Sequence, residues 1–338
     1  MAVFPMIARR LLMLIGVLFG VTLITFTISH LVPGDPAQLM AGPRASAEAI
    51  AALRAQLGLD RPLYVQYLTF LGNLAQGDLG VSVLTQRPVL QELVGYFPAT
   101  IELMLVSLTL SIALGVALGI AAAVYEGRWI DHGLRLIAIV GVSAPRFVTA
   151  LLLLLLFYGE LNLLPGGGRF DPALAMPPSV TGFLLIDSLL AGDFVAFADA
   201  AMHMILPTLT LAVSTSGGFM RLARTSMLEA LAQDYIRTAQ AMGLRRRTII
   251  LRHAFRNALM PLVTVIGMAV GTLLFGSVIV ETIFAWPGAG SYVLNAIFSL
   301  DFPVIMGFTV IVSVVYVVTN LLVDLVYLVI DPQIRSVA

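Results

Sequence analysis

The sequence predicts an all-α integral membrane protein with six transmembrane helices and both termini cytoplasmic. Three observations predict this. The 338 residues are 59% hydrophobic and only 11% charged, with a mean hydropathy of +0.98. A soluble domain carries about 25% charged residues, and no soluble fold of this length has a core that hides such an apolar excess. Six runs approach or exceed the roughly 20 apolar residues that cross a bilayer. The arginines also gather in alternate connecting segments, which orients the runs.

The runs are 11–32, 103–125, 136–158, 202–220, 258–280 and 302–323. The first follows Arg9-Arg10 and stops at Pro33-Gly34-Asp35-Pro36. It is too long for a signal-peptide apolar core, and no clean small-x-small cleavage site follows directly, so it is expected to be an uncleaved first span. The third carries Arg146 inside it, and the fourth is interrupted by Pro207, Gly217 and Gly218. Segment 173–186 is too short to cross and carries Pro177-Pro178, so it is a loop or interfacial.

Thirteen arginines lie in the N-terminus, 126–135, 221–256 and the tail, against five in 33–97, 160–202 and 281–301. The positive-inside bias puts the first set in the cytoplasm. Glu160, Asp171, Asp187, Asp193 and Asp199 against Arg169 alone suit an outer loop. Three segments follow: 1–32 (N-terminus and first span), 33–97 (a long periplasmic first loop) and 98–338 (a five-helix core containing cytoplasmic loop 221–256). The long outer loop needs structure of its own. Within it Ser46 can cap a helix ending at Gly58, with Ile50, Leu53 and Leu57 on one face. That helix is either part of a docking platform or lies on the membrane. Gly16/Gly20, Gly115/Gly119 and Gly267/Gly271 form Gly-x-x-x-Gly pairs, which let helices approach closely in lipid.

All 19 basic residues are arginine, so a lysine-dependent phosphate loop and a Schiff-base lysine are excluded. There is no cysteine, which excludes disulfides, thiolate metal sites and cysteine nucleophiles. His30, His132, His203 and His253 are scattered without metal-ligand spacing, so neither a resident metal nor any other cofactor is implied. A formal net charge of zero gives no reason to expect nucleic-acid binding.

The sizeable polar segment on the inner side is RLARTSMLEALAQDYIRTAQAMGLRRRTIILRHAFRNALMP, residues 221–261. Asp234 can cap a short helix running through Met242, and Gly243 can end it in a left-handed conformation. Small residues on a short cytosolic helix, Ala239 and Ala241 with Gly243 after them, suit another protein's groove. A basic helix on the membrane surface is the alternative.

This segment resembles the cytoplasmic loop of permeases of the ABC peptide/nickel importer family, in DYIRTAQAMGL followed by LRHAFRNALMP. ISHLVPGDPAQLMAG, LGLDRPLYVQYLTFLGNLAQGDLGVSV, FPATIEL, VETIFAWPGAG and NLLVDLVYLVIDPQIR carry the resemblance along nearly the whole chain. Segment 181–207 is most like that of dipeptide permeases. The resemblance implies a type I ABC importer permease fold in the bacterial inner (cytoplasmic) membrane. It implies no ATPase site in this chain. The expected partners are a second homologous permease subunit (the family favours a heterodimer), two ABC ATPase subunits, and a periplasmic substrate-binding protein. It implies that Asp234, Tyr235, Arg237, Thr238, Ala239, Ala241, Gly243, Leu244 and Arg245 couple the chain to an ATPase. Where the general pattern has glutamate six residues before the glycine, this chain has Arg237, as the peptide branch does. The implied cargo is a dipeptide or short peptide; a nickel chelate, glutathione, an opine or an oligosaccharide is the alternative within the same role.

Three further residue readings matter. Glu102, one turn into the second span, is expected to stay solvated at the interface, with an outer-gate role as the alternative. Ser143 and Pro145 form a kink, with the serine helping to satisfy freed backbone. Arg146, ten residues into its run, is expected near the bilayer midplane, where an arginine facing lipid costs at least ~2.5 kcal/mol. The family that the chain resembles generally has a small or apolar residue at this place, so the resemblance implies a specialisation here. It is expected to line the translocation path and meet an anionic cargo group, against pairing with a partner's acid or snorkelling inward. Two other classes compete: a secondary transporter, disfavoured by the lack of an intramembrane acid relay and of two similar halves, and an intramembrane hydrolase using Ser143 and His203, which no spacing supports.

Overall fold

The computed structural model describes residues 3–31, 36–42, 44–56 and 58–330. The stop at 33–35, Leu57 and the tail from 331 lie outside the described residues. In chain order the helices are α1 (Val3–Leu31), α2 (Pro36–Ala41), α3 (Ala47–Gln56), α4 (Leu63–Ala75) and α5 (Val89–Val124). Then come α6 (Trp129–Ser143), α7 (Arg146–Leu153) continuing into a π-helical turn (Leu154–Glu160), α8 (Leu184–Leu190) and α9 (Phe194–Leu231). They are followed by α10 (Asp234–Ala241), α11 (Arg246–Thr248) running through a π-helical turn (Ile249–Ala254) into α12 (Phe255–Ile283), α13 (Ala289–Phe298) and α14 (Phe302–Ile330). Among the described residues, five helical stretches are long and apolar enough to cross a membrane, six with the bent pair α6–α7.

The chain forms two compact units. One comprises Met1–Pro98 with Pro287–Val318. In it α4 lies along α1: the Tyr67 hydroxyl is 3.1 Å from Thr22 Oγ1 and donates to the Phe19 carbonyl at 3.2 Å. The Ser46 cap forms, accepting from the Ala49 N–H at 3.2 Å, and Gly58 takes φ +68° after α3. No α3 side chain is buried, so the expected face of Ile50 and Leu53 covers no core. Asp301, just before α14, is buried and accepts from Ser82 Oγ at 2.5 Å and the Leu84 N–H at 3.1 Å. The segment Pro287–Val318 therefore clusters with the N-terminal unit, although the sequence assigns it to the core of 98–338.

The other unit comprises Ala99–Trp286 with Thr319–Ala338. Within it α9 packs against α6, α7, α8 and α12. Glycine sets the tight approaches. A Cβ on Gly115 would lie 2.5 Å from Phe219 Cβ, and one on Gly119 2.6 Å from Ala223 Cβ, so α5 and α9 cross in near contact. Gly267 meets Val323 of α14 in the same way, whereas Gly16 and Gly20 have no such neighbour within 4 Å. Gly217 and Pro207 do not interrupt the fourth span: α9 runs through both, and Gly217 makes room for Val142 and Ala138 of α6.

The third span departs most from expectation. It is not a mildly kinked helix: α6 and α7 meet at 103° across Ala144-Pro145. Proline lacks the N–H that would continue the helical ladder, and both junction residues have extended ψ, 125° and 136°. Ser143 does not mend the break. It is exposed, and its hydroxyl makes no hydrogen bond among the described residues. His203 is bound to the Asp199 carbonyl of its own helix at 2.9 Å, which leaves the hydrolase reading without a base on Ser143.

Candidate functional site: a glycine-closed turn and an arginine at a helix break

The first site is the turn after α10. Gln233, not Asp234, occupies the cap position, and Asp234 opens the helix in a surface pair with Arg237 at 3.2 Å. Both side chains are highly exposed, so the pair adds little stability. The helix ends where the sequence says. Gly243 has φ +73°, its N–H donates to the Gln240 carbonyl at 2.9 Å, and the Leu244 N–H reaches back to Ala239 at 3.3 Å. This double closure needs a left-handed residue, which glycine adopts without a Cβ clash.

The inward face of α10 differs from expectation. Ala239 is only 5% exposed and packs with Ile236 in a cluster containing Met227, Ala230, Ile249 and Ala254. The small residue there lets α10 sit close to its own chain. The exposed set is Asp234, Tyr235, Arg237, Thr238, Ala241, Gly243, Leu244 and Arg245. Arg246 Nη2 donates to the Val124 carbonyl at 3.4 Å, tying the return segment to the last residue of α5. A second tie lies at the start of α6, where Arg224 of α9 makes a bidentate pair with buried Asp131, 2.8 Å at both contacts.

The second site is Arg146, the first residue of α7. Its Nε donates to Ser214 Oγ of α9 at 3.2 Å, and its Nη1 to the Thr272 carbonyl of α12 at 3.3 Å. The straight-helix depth argument does not survive the bend, but both partners lie well inside apolar spans. Ser143 and Pro145 flank the arginine, both exposed.

Sequence reading missed one site. Glu102 is not solvated: it is 5% exposed and paired with Arg169 at 2.5 Å. It also accepts from the Leu184 and Leu185 N–H groups at 3.2 and 2.8 Å. Arg169 additionally donates to the Gly182 carbonyl at 2.8 Å, and its guanidinium lies 6.0 Å from the Trp286 ring. The loop 160–202 is thus pinned to α5 through one carboxylate. Breaking such a buried pair by removing one partner costs about 3–5 kcal/mol.

These elements belong to a membrane-spanning permease that moves its cargo with the help of other subunits. The chain is a member of the family described as binding-protein-dependent transport system inner membrane component, which matches residues 115–336; the family's N-terminal component matches residues 3–104. It is therefore a multi-pass inner-membrane permease subunit of an ABC importer. A probable D,D-dipeptide transport system permease protein of Escherichia coli is 52% identical over 334 residues, covering 99% of this chain and 98% of that one. A dipeptide transport system permease protein of the same species is 43% identical over 332 residues, with 97% and 98% covered. A glutathione transport system permease protein of Escherichia coli is 38% identical over 329 residues, again with 97% and 98% covered.

Proposed function

We propose that this chain conducts dipeptides delivered by a periplasmic substrate-binding protein, beside a second homologous permease. Two ATPase subunits hydrolyse ATP and dock on the turn after α10. The observation that carries the docking reading is the exposed face of α10 with its glycine-closed turn, between α9 and α12, which both cross the membrane. Motion of that turn reaches the spans through the cluster around Ala239 and through Arg246 on α5. The docking residues are Asp234, Tyr235, Arg237, Thr238, Ala241, Gly243, Leu244 and Arg245, while Ala239 supports them from behind. The arginine bias supports cytoplasmic termini and loop 221–256, with the segment 33–97 periplasmic. Arg146, Ser143 and Pro145 stand beside the translocation path, because non-helical backbone at membrane depth is tolerated where it is buried in protein or lines a wet cavity. Dipeptide cargo is supported by the relatives named above.

The test is uptake of a labelled dipeptide by the assembled complex in proteoliposomes. Uptake should require ATP, the ATPases and the binding protein. Uptake by this chain alone under a proton gradient would instead make it a secondary carrier. Transport of glutathione without any dipeptide would move the cargo.

A further inference from the structure

The structure assigns Arg146, seated by Ser214, Thr272 and Gly276, as the group that recognises the carboxylate of cargo crossing the membrane. This rests on the dipeptide-importer reading and goes beyond it by naming the atoms that read the cargo.

The seat is built by a glycine. A Cβ at position 276 would lie 1.3 Å from Arg146 Nη1 and 2.4 Å from Cζ, so the guanidinium occupies the space that any other side chain would fill. Thr272 lies eleven residues before the end of α12 at Ile283. That is ~17 Å along the helix, against a hydrocarbon core ~30 Å thick, so the cation sits near mid-depth. Charged groups at that depth face a cavity or a partner.

Its partners hold it without neutralising it. Ser214 Oγ and the Thr272 carbonyl are uncharged, and among the described residues no carboxylate lies within 4.0 Å of the guanidinium. Nε and Nη1 are anchored, while among the described residues Nη2 keeps both of its N–H donors uncommitted. A fixed guanidinium with free donors binds a carboxylate in the geometry those donors set. The adjoining break at Ala144-Pro145 leaves Ser143 and Pro145 uncovered by this chain beside it. A dipeptide with a free C-terminus supplies the matching anion. Gly276 is then a positioning residue, since alanine there displaces the guanidinium from Ser214 and Thr272.

The experiment compares ATP-driven uptake of a free-acid dipeptide and its C-terminal amide by the full complex. Wild type should favour the free acid. Arg146→Gln should reduce that preference by roughly tenfold, the size of one charge-assisted hydrogen bond, by slowing the free acid and sparing the amide. Gly276→Ala should shift the ratio in the same direction, and adding it to Arg146→Gln should do nothing more. Equal loss for both cargoes in Arg146→Gln would overturn the assignment in favour of a structural pair with an acid of the second permease. No loss for either would overturn it as well. Should Arg146→Gln fail to assemble, an unchanged ratio in Gly276→Ala is sufficient to overturn it. Failure of the dipeptide reading is distinct: the wild-type complex would then take up neither compound.

Discussion

The turn after α10 and the bend before α7 both redirect the chain, yet they are built in opposite ways. The turn closes on itself: Gly243 and Leu244 return their N–H groups to α10. The bend is held from a distance. Gly217 of α9 receives Val142, and Ser214 and Thr272 receive Arg146 from the far side of the break. A local device can be read from neighbouring residues, whereas a device held by remote contacts cannot. The difference also suits the two roles proposed above. A self-closed turn keeps its shape when a motor pushes on it, and a remotely held bend can respond when the helices around it shift.

Substitutions can break or sharpen this comparison. The largest effect is expected from Ala239→Asp, which would bury a carboxylate among Ile236, Met227 and Ile249. The purified subunit should lose about 3 kcal/mol or more of stability in detergent, a cost typical of an unpaired buried charge. Ala241→Asp, on the exposed side, should leave the melting temperature unchanged and lower uptake. Equal melting for the two would mean that α10 does not face its own chain through Ala239.

Gly217→Val comes next. Its Cβ would meet Val142 Cγ2 at 2.5 Å and the Ala138 carbonyl at 2.7 Å, so α6 must move. A destabilisation of about 1–3 kcal/mol is expected from such overpacking, read by thermal unfolding. A neutral result would show that the bend is not held by α9.

Gly243→Val should cost about 1–2 kcal/mol, because a β-branched residue is forced to φ +73°. Uptake should fall at least ~tenfold with membrane levels unchanged, the equivalent of losing ~1.4 kcal/mol of coupling. Gly243→Asn should recover much of the rate, since asparagine tolerates that conformation. The smallest effect belongs to Ser143→Ala, which removes an exposed hydroxyl without a hydrogen bond. Stability should stay within about 0.5 kcal/mol. A larger loss would restore the serine to the role that the sequence suggested for it.

The spans were legible because twenty apolar residues in a row have few other uses, and the cap at Ser46 and the stop at Gly243 because their signals are local. Four features were not. Pro145 announces a break but not its angle, which depends on where α9 and α12 leave room. Glu102 finds its cation 67 residues away in Arg169, and no spacing encodes that contact. The small residue at Ala239 has the same appearance in sequence whether it faces a partner or its own core; only the burial of Ile236 beside it shows which face turns inward. Gly276 carries no signal of its own until Arg146 is seen lying against it.

The central claim is that the exposed face of α10 meets the motor. The chain has no cysteine, so Ala241→Cys gives a single attachment point for a maleimide-linked photocrosslinker. Illumination of the assembled complex should join this chain to an ATPase subunit from position 241 and not from Met176→Cys, an exposed position in the loop 160–202. An ATPase adduct from position 176 with none from 241 would contradict both the orientation and the coupling role.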